Sequence, residues 1–329
     1  MAIVFSYHGG ARRSVDTELE QQVDKAPRFP RCALIAVGLA IPGGAVLVVG
    51  ALAAAEARRD PVVVRYRLAE PHLSCAASPL RTVLIADLHM RTGDGRRLAH
   101  VVAQSNALKP DLVLLAGDMF GGDGPPDDRA AIAMLAPLGR LRAREGVFAV
   151  LGNHDWEDGA PRVRRALAAA GVTVLGNDAA ITPRAAVLGI EEITSNTANP
   201  VLAKERLAAS LQRLHRPAPP VTIWMAHNPV MFDRVPAPSG TMVAGHTHGG
   251  QVWPALSIPL MRWINRGAIP LAGRFGWSAG TYVRGLYRHG AWRMIVTSGV
   301  GTSTLPLRLG VPPEIAAIDL TGCRLPTDG

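Results

Sequence analysis

Five short apolar runs in this chain end in glycine, aspartate, asparagine or histidine, and this repeated pattern constrains the fold more than any other feature. The runs cover residues 83–86, 112–116, 147–151, 221–226 and 242–244. The segments between several of them have helical character, for example residues 96–106 and 127–144. Short β-rich runs that alternate with helical segments predict an α/β domain with a largely parallel sheet.

The polar residues that follow these runs are predicted to meet at one site, because the carboxyl ends of strands in an open α/β sheet form the ligand crevice. The intervals from Asp87 to Asp118 and from Asp118 to Asn153 each match one βαβ unit of about 30 residues. The residues that this arrangement gathers are Asp87, His89, Asp118, Asn153, His154, Asp155, His227, His246 and His248.

The donor atoms of this set favour a centre of Mn, Fe or Zn, because carboxylate, imidazole and amide groups occur without any thiolate. The candidate ligands are Asp87, His89, Asp118, Asn153, His227, His246 and His248. Seven ligands exceed the needs of one ion. Two divalent ions about 3.5 to 4 Å apart, bridged by a carboxylate, suit attack of an activated water on phosphorus. Asp118, central in the order, is the natural bridge.

Two further residues of the third motif are predicted to be catalytic. His154 directly follows the candidate ligand Asn153. We therefore expect it to face the substrate and to stabilise the transition state or protonate the leaving group. Asp155 is expected to orient the imidazole of His154 from behind.

Taken together, the motifs resemble the calcineurin-like metallophosphoesterase superfamily over roughly residues 81–320. In chain order they read Asp87-Leu88-His89, Gly117-Asp118, Gly152-Asn153-His154-Asp155, His227, and Gly245-His246-Thr247-His248. The resemblance implies an α/β four-layer sandwich of two mixed β-sheets flanked by helices. It also implies one ion on Asp87, His89, Asp118 and His248, and a second ion on Asp118, Asn153, His227 and His246.

Two runs, GHTHGGQVWP from Gly245 and TLPLRLGVPPEI from Thr304, look like a branch with an amino-terminal transmembrane segment. Some members of that branch are phosphodiesterases that act on UDP-2,3-diacylglucosamine in lipid A synthesis. The resemblance implies a phosphate-ester substrate, with a lipid-linked or UDP-sugar lipid as one candidate. Arg308 in the second run is interpreted either as a phosphate contact or as a member of a structural ion pair.

The chain departs from the resembled pattern at two places. Asp155 stands where many superfamily members carry glutamate, a change that preserves the carboxylate chemistry. Glu191 and Glu192 follow Gly189 where this branch is expected to carry aspartate. The second departure bears on the substrate pocket.

An uncharged stretch from Cys32 to Ala55 precedes the catalytic motifs, and as a helix it would be about 36 Å long, enough to span a bilayer. A cleaved secretory signal is the alternative, because Ala53, Ala54 and Ala55 resemble a cleavage site. The predicted organisation is a polar tail over residues 1–30, a transmembrane anchor over 31–56, a linker and first strand over 57–80, and the catalytic domain over 81–329.

The anchor predicts a single-pass protein of the cell membrane, in contact with membrane lipid. Arginines flank the stretch on both sides, so the positive-inside rule nearly cancels, and an external catalytic domain is slightly favoured. The net charge of +9 suits anionic partners, but no zinc-finger spacing or ribonucleoprotein motif is present, so no nucleic acid is expected.

The three cysteines, Cys32, Cys75 and Cys323, are widely spaced and predict neither a disulfide framework nor a thiolate zinc site. A second function of a different class is a membrane-tethered metal-binding protein without turnover. Such a protein is expected to lack catalytic groups, whereas His154 is present.

Overall fold

Two mixed β-sheets form the centre of the computed structural model, which describes residues 43–121, 124–236, 240–251, 282–303 and 305–322. The first sheet contains, in spatial order, β1 (Val62–Ala69), β12 (Glu314–Thr321), β2 (Leu80–Ile85), β3 (Leu112–Ala116), β4 (Gly146–Val150) and β5 (Thr173–Val174). β2 to β5 are parallel, and β12 runs antiparallel to β2.

The second sheet contains β10 (Gly285–His289), β11 (Trp292–Val296), β9 (Gly240–Ala244), β8 (Val221–Met225), β7 (Ala185–Gly189) and β6 (Asp178–Ile181). Its four inner strands are parallel, and its two edge strands, β6 and β10, are antiparallel to their neighbours. All five apolar runs that precede the polar motifs are strands in these two sheets.

The helices are α1 (Gly43–Ala57), α2 (Gly95–Ala107), α3 (Asp128–Leu135), α4 (Asn153–Glu157), α5 (Ala160–Ala169) and α6 (Pro200–Leu214). Residues of α2, α3 and α5 belong to one apolar cluster with strands of the first sheet, and residues of α6 belong to another with strands of the second. The prediction of an α/β fold with two mixed sheets flanked by helices is confirmed.

Neighbouring residues of one strand enter different cores, because successive side chains point to opposite faces of a sheet. Leu114 packs between the two sheets, and Leu115 packs in the helical layer outside the first sheet. Ile223 and Trp224 alternate in the same way on the second sheet. Burial on both faces explains why these strands are continuous apolar runs.

The helix predicted over residues 127–144 is shorter than expected. α3 ends at Leu135, and a 3₁₀ turn covers Ala136–Arg140. Pro137 has no backbone N–H to donate within a continuing α-helix, and this restriction accounts for the change.

The predicted anchor is only partly described, because its residues 31–42 lie outside the described ranges. Within those ranges, no helix has both the length and the apolar character needed to cross a membrane. α1 covers the carboxyl-terminal part of the predicted anchor.

The cysteine spacing predicts no disulfide framework, but Cys75 is disulfide-bonded. Cys32 and Cys323 both lie outside the described residues. The Sγ atom of Cys75 lies 3.5 Å from the carbonyl oxygen of Gly322, which directly precedes Cys323 in the chain. The spacing of the cysteines does not indicate this bond, because chain folding sets the distance between cysteines, whatever their separation in sequence.

Candidate metal centre and active site

The predicted ligands follow strands that are neighbours in each sheet. Asp87 and Asp118 follow β2 and β3, and Asn153 follows β4. His227 and His246 follow β8 and β9, which are neighbours in the second sheet. His227 contacts both Asp118 and Asn153, so the carboxyl ends of both sheets contribute to one site.

Left-handed backbone is concentrated at this site. Five of the candidate ligands have positive φ angles, namely Asp87, His89, Asp118, His246 and His248. This conformation is uncommon for residues with a side chain and tends to persist at functional sites, where the surrounding structure enforces it. Here these residues lie within four positions of the ends of β2, β3 and β9.

Two glycines allow the backbone to approach the ligands closely. A Cβ atom on Gly117, whose φ is +88°, would lie 2.5 Å from Nδ1 of His227. A Cβ atom on Gly152 would clash with the carboxylate of Asp118. Both positions therefore exclude any larger residue unless the ligands move.

Asp87, His89 and His248 form the first cluster of the site. Nε2 of His89 lies 3.0 Å from Nε2 of His248, and this second atom lies 3.8 Å from Oδ1 of Asp87. All three side chains are buried. We name them the first ligand cluster.

Asn153, His227 and His246 form a second ligand cluster. Oδ1 of Asn153 lies 3.2 Å from Nε2 of His227 and 3.0 Å from Nδ1 of His246. The two imidazole nitrogens are 3.1 Å apart. Nδ1 of His227 lies 2.8 Å from the carbonyl oxygen of Ala116, and a hydrogen bond there leaves Nε2 free to act as a ligand.

Asp118 lies between the two clusters. Its Oδ2 atom is 3.4 Å from Nε2 of His89 and 3.3 Å from Nε2 of His227. Its other oxygen, Oδ1, accepts the backbone N–H of His154 at 3.0 Å. One carboxylate oxygen therefore faces both ligand clusters.

Burial and charge set the protonation of the histidines in the site. Burial lowers the pKa of His89 to about 4, and it also lowers the pKa of His248, so both rings are neutral near pH 7. Burial opposes the charged form of His227, but the charge and hydrogen bond of Asp118 outweigh this effect and raise its pKa. Neutral imidazole is the form that binds metal ions, so a metal ion bound by His227 would displace its proton.

The residues present fit divalent cations. Three groups, each of three side chains, have ligand atoms within 4.8 Å of one another: Asp87, His89 and His248; His89, Asp118 and His154; and Asp87, Asp118 and His227. Burial raises the pKa of Asp87 to about 7, and the opposing charges of His227 and Arg308 do not outweigh this effect. A bound cation would supply the missing charge.

His154 lies at the open side of the site. Its ring centroid is 5.0 Å from that of His89, and its side chain is 34% exposed, whereas those of the candidate ligands His89 and His227 are 2% and 0% exposed. His154 is therefore more accessible to solvent than these two candidate ligands.

Asp155 does not have the surroundings expected of a residue that orients His154. Its Oδ2 accepts the N–H groups of Gly152 and Asp118, both at 2.9 Å, and its Oδ1 accepts that of Met119 at 2.7 Å. Asp155 is fully buried and holds the backbone of two motifs together. This corrects its predicted catalytic role.

Glu157 contacts His154 instead, with Oε2 at 3.0 Å from Nδ1 of the imidazole. Sequence reasoning missed this residue, although the spacing of three positions on a helix was an available signal. It also missed the position of Glu191, whose carboxylate binds Trp156 of α4 and Arg164 of α5. Glu191 thereby ties the segment after β7 to the helix that carries Asn153.

The chain is similar in sequence to known phosphoesterases. Residues 80–250 match the model of the family described as calcineurin-like phosphoesterase. The chain is 32% identical to phosphodiesterase YaeI of Escherichia coli (strain K12) over 78% of this chain and 87% of that protein. It is 27% identical to a transmembrane protein with metallophosphoesterase domain from Bos taurus, over 83% of this chain and 59% of that protein.

Among solved structures, a 5′-nucleotidase precursor from Thermus thermophilus matches with a TM-score of 0.43 and 14% identity. The match covers 74% of this chain and 54% of that chain.

Proposed function

The chain belongs to the calcineurin-like phosphoesterase family, and we propose that it is a phosphodiesterase that uses two divalent ions of Mn, Fe or Zn. Its membership makes it a metal-dependent phosphoric ester hydrolase. The first ion is assigned to Asp87, His89, Asp118 and His248. The second ion is assigned to Asp118, Asn153, His227 and His246.

The position of Asp118 carries the proposal of two ions. Its Oδ2 atom is nearly equidistant from His89 of the first ligand cluster and His227 of the second. A carboxylate oxygen in this position suits two ions better than one, since a single ion would leave one cluster without a cation. Two such ions, when bound, would polarise the phosphoryl oxygens and activate a water molecule for attack.

His154 is assigned the role of proton donor to the leaving oxygen. Its partly exposed ring lies beside His89 at the edge of the buried clusters, where a phosphate ester would approach. Protonation of the departing alkoxide lowers the barrier for esters with poor leaving groups. Asp155 serves this role only indirectly, by holding the backbone that carries Asp118 and Asn153.

The test is hydrolysis of bis(p-nitrophenyl) phosphate by the full chain after chelation and return of Mn, Fe or Zn, with bound metal measured in parallel. We expect about two ions per chain and turnover that depends on them. A chain that binds ions without turnover against a broad panel of phosphate esters would instead be the membrane-tethered metal-binding protein.

We further propose that residues 31–56 anchor the protein in the cell membrane. Four large apolar side chains of α1 are exposed, namely Leu47, Val48, Val49 and Leu52. Successive residues of a helix differ by about 100°, so this surface covers more than half of the circumference. Ala53 and Ala57 face the protein and are buried. An apolar surface this wide suits lipid.

An external catalytic domain is favoured by the disulfide at Cys75, because disulfides persist in oxidising compartments. The substrate is then a lipid-linked phosphate ester on the outer side of the membrane. A UDP-activated lipid, the substrate suggested by the resembled branch, would require the cytoplasmic side.

Protease treatment of intact cells that express the full chain distinguishes the two sides. We expect digestion of the catalytic domain, and carbonate-washed membranes should retain the protein. Protection of the domain in intact cells but not in lysed cells would reverse the orientation and favour the UDP-linked substrate.

A further inference from the structure

Arg308 is a fully buried arginine that the hydrolytic steps above do not use. Nε donates to the carbonyl oxygen of Gly301 at 2.9 Å, and Nη1 donates to that of Val311 at 3.3 Å. Nη2 lies 2.8 Å from the carbonyl oxygen of Ser298, 3.1 Å from that of Gly299 and 2.5 Å from that of Gly301. Its hydrogen-bond partners among the described residues are thus mainly carbonyl oxygens, and none is a carboxylate of a structural ion pair.

These carbonyl oxygens belong largely to residues 298–301, a loop that follows β11 and packs directly on Asp87. The N–H of Gly301 donates to the carbonyl oxygen of Asp87 at 2.6 Å. A Cβ atom on Gly299 would lie 2.6 Å from both Cβ and Oδ2 of Asp87. A shift of this loop would therefore move Asp87.

Arg308 also contacts His248, another member of the first ligand cluster. Its Nη2 atom lies 3.5 Å from Nδ1 of His248. The opposite nitrogen of that ring, Nε2, faces His89 at 3.0 Å. The guanidinium is therefore behind His248, on the side away from the other ligand.

Arginine suits this position for a geometric reason. Its planar guanidinium carries five N–H donors in a fixed fork, whereas lysine has three donors on a single atom. Burying a cation is costly, and burial lowers the pKa of Arg308 to about 10, although the charge of Asp87 acts in the opposite direction. Retaining the charge here is consistent with a requirement for the donors.

We infer that Arg308 is a positioning residue for the first of the two proposed ions, holding Asp87 through the loop and His248 by direct contact. The inference rests on the proposed dinuclear site. Its contacts include no residue of the second ligand cluster among the described residues. Loss of the Arg308 guanidinium should therefore weaken the binding of the first ion and leave the binding of the second unchanged.

The test compares full-length wild type with Arg308→Lys and Arg308→Met by Mn and Zn titration calorimetry and by metal analysis. Substitution of residues that orient metal ligands typically costs 10- to 100-fold in affinity. We expect a loss of about that size for one ion in both variants and wild-type affinity for the second. The lysine variant keeps the positive charge. A loss of metal affinity in this variant would therefore be due to the missing N–H donors.

Arg293→Lys is the matched control. Arg293 is also a buried arginine, but it pairs with Glu70 at 2.7 Å and donates to the carbonyl oxygen of Ala69. It lies near the start of β11, whereas the loop with Ser298 follows the end of that strand. This variant should keep both ions even if it loses stability.

Three results would overturn the inference. Both ions could bind Arg308→Lys with wild-type affinity, both could be lost equally, or Arg293→Lys could show the same loss of one ion. If Arg308→Met does not fold, Arg308→Lys alone decides the outcome, and if neither folds, the role is structural and the inference fails. A wild type that binds no second ion would instead refute the proposed dinuclear site.

Discussion

The carboxylate of Asp155 accepts the backbone N–H of Asp118 at 2.9 Å, and so joins the motif after β4 to the motif after β3. The same side chain binds the N–H groups of Gly152 and Met119. It therefore fixes the directions in which Asp118 and Asn153 leave their strands. A residue adjacent to the proposed catalytic histidine thus acts on the metal ligands through the backbone.

Asp155→Asn should destabilise the protein, because an amide NH₂ replaces one of the oxygens that three N–H groups require. We expect a loss of about 3 kcal/mol in the free energy of unfolding, measured by urea denaturation, together with weaker metal binding. Asp127→Asn is the control, since Asp127 caps α3 at the surface and asparagine caps equally well. Equal stability of the two variants would contradict this prediction.

Asp118→Asn should abolish metal-dependent hydrolysis and weaken the binding of both ions, because one amide oxygen cannot replace a bridging carboxylate oxygen. Metal content per chain, measured after dialysis, checks the result. Asp87→Asn provides the comparison: Asp87 is assigned as a ligand of the first ion only and touches the second cluster through the backbone N–H of His246, so this variant should weaken binding of the first ion more than that of the second. The bridging assignment fails if Asp118→Asn retains two ions and wild-type activity.

Glu157→Gln should lower kcat about 10-fold for esters with poor leaving groups. Glu157 contacts Nδ1 of His154, and its loss should leave a less well oriented proton donor. Esters of p-nitrophenol need little proton donation, so their kcat should change much less. The measurement is a series of phosphodiesters that differ in the pKa of the leaving group.

Glu205→Gln, an exposed change on α6, should leave the dependence on leaving group unaltered. An equal decrease for good and poor leaving groups in Glu157→Gln would count against a role of Glu157 through proton donation.

Glu192→Gln should stabilise the metal-free protein increasingly as the pH rises. Burial raises the pKa of Glu192 above its usual 4.5, and its Oε2 atom is buried without a hydrogen-bond partner among the described residues. Since the folded state holds this proton to higher pH than the unfolded state, ionisation opposes folding above pH 4.5. Glutamine removes that penalty.

Urea denaturation of the chelated protein between about pH 5 and pH 8 tests this prediction. The advantage of Glu192→Gln over wild type should grow across this range, whereas Glu205→Gln should show no such trend. A constant difference at every pH would show that the ionisation of Glu192 is not involved.

The ligand positions were predictable because they follow from local pattern. An apolar run buried on both faces must end where the chain reaches the edge of the sheet, and a polar residue at that point lies in the crevice. Asp87, His89, Asp118, Asn153, His227, His246 and His248 all lie there. The predicted length of the helix over residues 127–144 was wrong for an equally local reason, since Pro137 interrupts it.

The remaining features depend on contacts between distant parts of the chain, which local pattern does not encode. The sequence predicts that Asp155 orients its neighbour His154, but the fold directs the carboxylate oxygens of Asp155 to N–H groups of the preceding motif. Arg308 reaches His248 across 60 positions, and the disulfide at Cys75 has no signature in cysteine spacing. Strand pattern and residue type determined which atoms enter the site. The packing of the two sheets decided which buried groups hold those atoms in place, because it alone sets the distances between segments remote in sequence.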